Sequence, residues 1–148
     1  MNDSKLRELL IGIKENQISV EEGLEQLKEL PYEDLGFAKV DHHRQLRQGF
    51  PEVIYSAGKT PEQVALIAER LAAKADRNII ATRANYETYK AVQTKIPEAE
   101  YFDVARIILI RRGKQERRGH ILVVSAGTSD LPVAEEAAIT AEAMGNRV

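Results

Sequence analysis

The sequence predicts an α/β protein, and three observations lead to this class. Short apolar runs that suit strands alternate with amphipathic stretches that suit helices between residues 53 and 110. Helix-capping residues precede those stretches, and a further strand-loop-helix pattern begins near residue 120. A chain of 148 residues is long enough for one medium domain or two small ones.

Residues 1–34 are predicted to form a helical hairpin. The first helix carries apolar residues at helical spacing after a cap at Ser4. The second helix starts at a capping box of Ser19 and Glu22 and ends at Pro31. Because no polar side chains converge there, we expect the hairpin to pack on another surface or to mediate assembly.

Residues 35–110 are predicted to form a small parallel β-α-β-α-β domain that begins with an irregular segment at residues 35–52. The strands are expected at 53–55, at 78–82 and, as one long or two short strands, within 101–110. Thr60 caps the first helix, with Gln63 completing a capping box, and Asn85 caps the second. Strands and helices that alternate over this length favour a parallel sheet with right-handed crossovers.

The remaining residues are predicted to form a basic linker at 111–119 and the first β-α unit of another domain at 120–148. Its strand is expected at 120–124 and its helix at about 132–144. The run from Arg106 to Arg118 holds six basic residues and one acidic residue. Because no aromatic side chains are interleaved with them, a solvated linker is favoured over a nucleic-acid contact.

Composition excludes several classes of protein. A net charge of −2 and a pI near 6.0 provide no general attraction to nucleic acid or to an anionic membrane. No apolar run approaches the roughly 20 residues that cross a bilayer, and the N-terminus does not resemble a secretory signal. We therefore expect a cytoplasmic protein. The absence of cysteine excludes disulfides, thiolate zinc sites and a cysteine nucleophile within these residues.

The strongest candidate site is the loop Ser125–Asp130, which reads Ser-Ala-Gly-Thr-Ser-Asp. It follows an apolar run and precedes a helix, so backbone N–H groups can point at an anion. Gly127 permits close approach and unusual dihedral angles, while Thr128 and Ser129 add hydroxyl donors. Asp130 can accept hydrogen bonds from ribose hydroxyls or cap the helix. A nucleotide phosphate site and a capped strand-to-helix turn are both open at this point.

Gly58-Lys59-Thr60 matches the end of a phosphate-binding P-loop. The full motif needs a glycine five residues before Gly58, and Val53 occupies that position. The loop is therefore too short to wrap a triphosphate, and ATP hydrolysis by this element is not expected.

Asp41-His42-His43-Arg44 offers residue types that bind metal ions. Adjacent side chains of an extended segment point to opposite faces, and the following arginine opposes a cation. We therefore expect a polar loop and no metal site. The guanidinium groups of Arg44 and Arg47 suit a phosphate or a carboxylate better.

Two longer stretches carry a family resemblance. The first comprises Leu35–Asp41, Arg44, Arg47, Gly49–Tyr55 and Gly58–Thr60, and the second is Val124–Ala137. The first resembles the N-terminal signature of LarB, the carboxylase/hydrolase of nickel-pincer nucleotide cofactor biosynthesis. The second is similar to the opening of the second LarB domain, a Rossmann-type domain that resembles the aminoimidazole ribonucleotide carboxylase PurE. The resemblance runs from about Leu30 to the end of the chain.

The resemblance implies a specific reaction. LarB-like enzymes carboxylate the pyridinium ring of nicotinic acid adenine dinucleotide and hydrolyse its phosphoanhydride, which yields a pyridinium dicarboxylate mononucleotide and AMP. The substrates would be the dinucleotide and carbon dioxide or bicarbonate, with no tightly bound cofactor and with Mg²⁺ as an expected aid to hydrolysis. A pyridinium ring is electrophilic, and in the family a thiolate adds to it transiently, which makes a neighbouring carbon nucleophilic.

The resemblance also implies site residues. Ser125–Asp130 would line the nucleotide site, although PurE has a Gly-Ser pair where this chain has Ala126-Gly127. A second group from the N-terminal signature would lie near the pyridinium carboxylate or the phosphates: Asp41, Arg44, Arg47, Glu52 and Lys59. The catalytic thiolate and the PurE-like histidine region are expected beyond Val148, so these residues alone would be inactive.

Two rival functions stay open. One is an aminoimidazole ribonucleotide carboxylase or mutase of purine synthesis, although such a protein would begin near Gly119. The other is a non-catalytic module for nucleotide binding or assembly. The resemblance to PurE, whose domains form octamers, implies a homo-oligomer in the complete protein.

Overall fold

The computed structural model describes residues 3–28, 33–41, 52–113 and 117–148. The chain divides into two compact units, residues 1–52 and residues 53–148.

Both helices expected in the first unit are present. α1 spans Asp3–Lys14 and α2 spans Val20–Lys28. The predicted capping box is confirmed, because the Glu22 N–H donates to Ser19 Oγ at 3.1 Å and the Ser19 N–H donates to Glu22 Oε2 at 2.9 Å. The backbone bond from Ser19 lowers the pKa of Glu22. The predicted end at Pro31 lies outside the described residues.

A two-stranded antiparallel ribbon follows. Its first strand lies at the end of residues 1–34, which are predicted to form the helical hairpin, and its second strand lies in residues 35–52, which are predicted to be irregular. β1 is Glu33–Asp34 and β2 is Lys39–Val40. Gly36 turns the chain with φ of 81°, and its N–H donates to Asp34 Oδ1 at 2.8 Å. Strands of two residues are too short to show a period of two, which explains why the sequence pattern did not reveal them.

The second unit contains a four-stranded mixed sheet. Its strands are β3 (Val53–Tyr55), β4 (Ile79–Thr82), β5 (Glu100–Phe102) and β6 (Ile107–Ile110), in the order β3-β4-β6-β5. β3 and β4 pair in parallel, whereas β6 is antiparallel to both β4 and β5. The prediction of an all-parallel sheet is therefore wrong.

The turn between β5 and β6 explains the difference. β5 runs in the same direction as β4, as the predicted β-α-β-α-β pattern requires, but β6 occupies the position between them. Only four residues, 103–106, join β5 to β6, and so short a connection allows antiparallel pairing alone. All four residues of β6 are apolar and buried, which suits a strand in the middle of the sheet.

Two helices cover one face of this sheet. α3 spans Pro61–Lys74 and α4 spans Tyr86–Lys95. Both predicted caps are confirmed: Thr60 and Gln63 form a complete capping box, and Asn85 Oδ1 accepts from the Thr88 N–H at 2.8 Å. The predicted apolar face of α3 is also buried, at Val64, Ile67, Ala68 and Leu71.

The last described residues, 117–148, contain a β-α-β unit. It comprises β7 (Arg118–His120), a 3₁₀ turn (Thr128–Asp130), α5 (Leu131–Ala143) and β8 (Asn146–Arg147), and β7 and β8 are parallel. The strand predicted at 120–124 is wrong in extent, because residues 121–126 have no regular structure. The Ile121 N–H still donates to the Arg147 carbonyl of β8 at 2.8 Å, but no described strand pairs with residues 122–126, and Leu122 is 86% exposed.

α5 packs on the other face of the mixed sheet. Ala143 and Ile139 join a cluster that includes Ile80, Ile107 and Leu109. Strand alternation places these sheet residues on the face opposite α3 and α4. The sheet therefore lies between two helical layers, as expected for an α/β fold.

A buried asparagine fastens the C-terminal end of α5. Asn78 Nδ2 donates to the Ala143 carbonyl at 3.1 Å, and Asn78 Oδ1 accepts from the Arg112 N–H at 2.9 Å. Satisfied buried amides of this kind fix one arrangement, because an unpaired polar group in the interior is costly.

Candidate functional site

Three turns of the second unit lie toward one edge of the mixed sheet. The orientation of α5 shows this: Glu136 pairs with Arg83, just after the end of β4, at 3.1 Å, whereas Ala143 contacts Asn78, just before its start. The N-terminal end of α5 therefore points beyond the edge where β3 and β4 end. We call this the carboxyl edge, formed by the turns at 56–59, 83–85 and 125–130. Ligands of open α/β sheets bind at such edges.

The loop Ser125–Asp130 is fully exposed at this edge. The 3₁₀ turn closes with a bond from the Asp130 N–H to the Gly127 carbonyl at 3.0 Å. A Cβ placed on Gly127 would lie 3.7 Å from both Asp130 Oδ2 and Ser129 Oγ, so these two polar groups flank the glycine. The side chains of Ser125, Thr128, Ser129 and Asp130 have no hydrogen-bond partner among the described residues.

This geometry decides two points about the loop that the sequence left open. Gly127 has φ of −134° and ψ of 159°, an extended conformation that any residue adopts, so its dihedral angles are not unusual. Asp130 stands at the start of α5 but makes no side-chain capping bond. The loop is therefore no ordinary capped turn, and its polar groups point to solvent at the start of a helix.

Lys59 lies on a turn whose backbone donors are largely occupied. Gly58 adopts φ of 81°, and the Lys59 N–H donates to the Ser56 carbonyl at 3.0 Å. The Thr60 N–H donates to Gln63 Oε1, and Pro61 has no N–H. Lys59 Nζ folds back to donate to the Tyr55 carbonyl at 2.7 Å. This turn has few backbone groups left to cradle a phosphate.

Ser56, beside Lys59, is a polar residue that the sequence analysis did not single out. Its side chain is buried at the end of β3, and its Oγ has no hydrogen-bond partner among the described residues. A buried hydroxyl without a partner is uncommon and calls for a ligand or water to satisfy it. No sequence signal distinguishes this serine from an ordinary turn residue.

Asp41 and Glu52, predicted to share a site, lie together in the first unit. Glu52 Oε2 accepts a hydrogen bond of 2.5 Å from the Asp41 N–H, and Asp41 is buried. This contact joins the two ends of the segment that contains Arg44 and Arg47, both of which lie outside the described residues. The sequence placed these residues near each other only through the family resemblance, since eleven positions separate the two carboxylates.

Two arginines in the turns that follow β4 and β5 were also missed. Arg83 has φ of 55° and Arg106 has φ of 53°, left-handed conformations that cost non-glycine residues free energy. The Ala84 N–H donates to the Arg106 carbonyl at 2.9 Å, which holds the two turns side by side. Side chains with strained backbones cluster at functional sites, so both arginines join the candidate set.

Two arginines of the basic run at Arg106–Arg118 form ion pairs with glutamates of the second unit. Arg111 contacts both carboxylate oxygens of Glu100, at 2.6 and 3.2 Å, and this bond raises the pKa of Arg111. Arg112 donates to Glu98 at 2.8 Å. These two arginines therefore form ion pairs at the start of β5, since Glu100 is its first residue and Glu98 lies two residues before it.

The described residues contain no cluster of three His, Asp or Glu side chains that could hold a metal ion, and His42 and His43 lie outside them. Among the helices that the structure describes, none combines the length and apolarity required to span a bilayer.

Comparison with known proteins identifies the family. Residues 32–112 match the family described as LarB/PurE-like N-terminal domain. An uncharacterized protein of Methanocaldococcus jannaschii is 34% identical over 150 residues, which cover 95% of this chain and 57% of that protein. The chain thus spans a little over half the length of this relative. It belongs to the carboxylase-related LarB/PurE-like family, and the resemblance of its N-terminal signature to LarB is confirmed.

Proposed function

With that family membership as the premise, we propose that the chain is the N-terminal part of a pyridinium-3,5-biscarboxylic acid mononucleotide synthase. The enzyme carboxylates the pyridinium ring of nicotinic acid adenine dinucleotide and hydrolyses its phosphoanhydride, in the synthesis of the nickel-pincer cofactor. Carboxylation replaces a ring hydrogen by a carboxylate and releases a proton. Hydrolysis adds one water across the phosphoanhydride and releases AMP.

The observation that carries this proposal is the open loop at Ser125–Asp130. Its helix start has no side-chain cap, so the N–H groups and hydroxyls around Thr128 and Ser129 remain available to a phosphate. Asp130 repels a phosphate and suits a ribose hydroxyl instead. A nucleotide carries both a phosphate, which the N–H and hydroxyl donors can bind, and a ribose hydroxyl, which Asp130 can bind.

Cations near the loop would complete the electrostatics. Arg83 lies at the same edge, where it also forms an ion pair with Glu136, and Lys59 lies on the neighbouring turn. Charge-assisted bonds from such groups are stronger than neutral ones. We assign Arg44 and Arg47 to the pyridinium carboxylate or the phosphates because the family signature contains them, and Asp41 and Glu52 to holding the ends of their segment.

The covalent step is not assigned to these residues. They contain no cysteine, so a thiolate that activates the ring comes from elsewhere in the complete enzyme. In this proposal residues 1–148 bind and orient the dinucleotide, which lowers the entropic cost of bringing it to the reactive groups.

Calorimetry with nicotinic acid adenine dinucleotide tests the loop. Asp130→Ala should weaken binding, whereas Glu135→Ala, which removes an equal exposed charge from the same helix, should not. Gly127→Ala is the sharper probe, because the backbone accepts alanine while the methyl group enters the space between Ser129 and Asp130. If Asp130→Ala and Gly127→Ala both bind as the unaltered protein does, the loop is not the nucleotide site.

The reaction itself is tested on the complete enzyme. Incubation with bicarbonate and either the dinucleotide or aminoimidazole ribonucleotide, followed by mass spectrometry, separates the two carboxylase activities. We expect a dicarboxylated mononucleotide and AMP from the dinucleotide. A product from the aminoimidazole ribonucleotide alone would refute the proposed function while leaving the loop data intact.

A further inference from the structure

Three of the five tyrosines gather where α4 meets the sheet. The tyrosine cluster consists of Tyr86 and Tyr89 on α4 and Tyr101 on β5. Tyr89 and Tyr101 stack, with ring centroids 5.2 Å apart and planes 14° from parallel. Tyr86 contacts both, at 5.8 and 6.2 Å, in tilted arrangements. The spacing of three residues on α4 and the position of β5 at the edge of the sheet bring the rings together.

The inner two rings are held in place by polar bonds. Gln93 Nε2 donates to Tyr89 Oη at 2.6 Å, and Tyr101 Oη donates to the Ala84 carbonyl at 3.3 Å. Burial raises the pKa of Tyr101, so its phenol stays protonated and neutral. These two rings therefore form a fixed base on which Tyr86 rests.

The outer ring is accessible. Tyr86 is 58% exposed, whereas Tyr89 and Tyr101 are half-buried. It is the first residue of α4, directly after the turn 83–85, so it stands at the carboxyl edge of β4. Tyr86 packs on two half-buried rings and still leaves more than half of its surface exposed. It therefore offers a flat surface to a ligand.

Two cations accompany the rings. Lys90 Nζ lies 5.5 Å from the centroid of Tyr86 and 5.8 Å from that of Tyr89, and its side chain is exposed. Arg106 Nε donates to the Ala84 carbonyl at 3.4 Å, the same acceptor that Tyr101 uses. Aromatic faces and neighbouring cations together complement a ligand in which a neutral planar ring is joined to an anionic group.

We propose that the tyrosine cluster is a mononucleotide-binding site, in which the base stacks on Tyr86 and the phosphate pairs with Lys90 and Arg106. Stacking tolerates any base, because every base has a π-face. Lys90 contributes by moving from the rings to the phosphate. The inference rests on the rings and cations alone, and it stands or falls independently of the reaction proposed above.

Isothermal calorimetry on the 148-residue protein tests this site, with AMP as the probe. Adenosine and ribose 5-phosphate separate the contributions of base and phosphate, and a single-stranded oligoadenylate tests for a polynucleotide. Tyr55 provides a matched control, because it is also 58% exposed but has no ring contact among the described residues. Circular dichroism checks that each variant folds.

We expect AMP to bind more tightly than adenosine, and ribose 5-phosphate not to bind. Tyr86→Ala should weaken AMP binding at least about fivefold, since one base stacked on an aromatic ring contributes on the order of 1 kcal/mol or more. Tyr86→Phe should stay within about twofold of the unaltered protein, and Tyr55→Ala should have no effect. Lys90→Ala should weaken AMP but not adenosine.

Several outcomes would overturn the site. Equal losses in Tyr86→Ala and Tyr55→Ala would make the effect nonspecific, and ribose 5-phosphate binding as tightly as AMP would remove the role of the rings. AMP binding that Asp130→Ala abolishes and Tyr86→Ala leaves unchanged would place the nucleotide at the other loop. Absence of AMP binding, or binding of the oligonucleotide alone, would also contradict the proposal.

Discussion

Two segments of this chain share a sequence pattern and differ in structure. Val53–Ala65 reads VIYSAGKTPEQVA, and Leu122–Ala134 reads LVVSAGTSDLPVA. In the first, Val53–Tyr55 forms β3, paired in parallel with β4, and a tight turn leads to a fully capped helix. In the second, residues 122–124 form no strand, and the helix begins after a 3₁₀ turn without a side-chain cap.

The difference shows what a strand needs. β4 stands beside Val53 and accepts its pairing, and α3 buries the adjacent face. No described strand stands beside residues 122–124, so Leu122 and Val124 face solvent and Val123 is only half-buried. The local sequence pattern determines where the turn and the helix form. An apolar run becomes a strand only where a neighbouring strand can pair with it.

The largest expected difference is in the free energy of unfolding lost when an apolar residue of each segment is replaced by alanine. Ile54→Ala should lower the free energy of unfolding by about 2–5 kcal/mol, because Ile54 is 3% exposed beneath α3. Leu122→Ala should change it by less than about 0.5 kcal/mol, because Leu122 is 86% exposed. Urea denaturation measures both. Similar losses in the two variants would show that residues 122–124 are buried in solution.

The glycines at matching positions sharpen the comparison. Gly58→Ala should destabilise the protein by about 1–2 kcal/mol, because alanine is strained at φ of 81°, although nothing lies within 4 Å of its Cβ. Gly127→Ala should be neutral, or stabilising by up to about 1 kcal/mol, because φ is −134° there. Thermal unfolding of the pair checks this. A destabilising Gly127→Ala would contradict the extended conformation.

The helix starts should respond unequally. Thr60→Ala removes a capping bond and one half of a capping box, so we expect a loss of about 1 kcal/mol. Asp130→Ala removes no capping bond and should stay within about 0.5 kcal/mol. The measurement is again chemical denaturation. Equal losses would mean that Asp130 caps α5 in solution.

The smallest expected effects are differences in the exchange of backbone amide hydrogens, which reports local opening of the two helices. We expect amide hydrogens at 64–71 of α3 to exchange more slowly than those at 133–144 of α5, because α3 is buried along its length and α5 mainly at its C-terminal end. Hydrogen exchange with mass spectrometry measures both. Asn78→Ala should speed exchange near Ala143 more than at 64–71, since it removes the anchoring bond. Equal protection of α3 and α5 would contradict this.

Much of the candidate site depended on the family resemblance and not on local pattern. The loop 125–130 was identified from its position between an apolar run and a helix, but its lack of a cap required the structure. The contact between Asp41 and Glu52 and the stacking of Tyr89 on Tyr101 join residues that are distant in the sequence, and the burial of the Ser56 hydroxyl depends on what packs around it. Such contacts depend on how elements pack, which periodicity does not encode.

The sequence by itself determined the helices of the second unit, their caps and the α/β class. Thr60, Asn85 and the apolar spacing of α3 act within one or two turns, so their effect is local and readable. Only the tertiary structure decided that β6 lies between β4 and β5, and that residues 121–126 leave the sheet. Strand order and strand length depend on neighbours distant in the chain, because a strand's hydrogen bonds are made entirely outside itself.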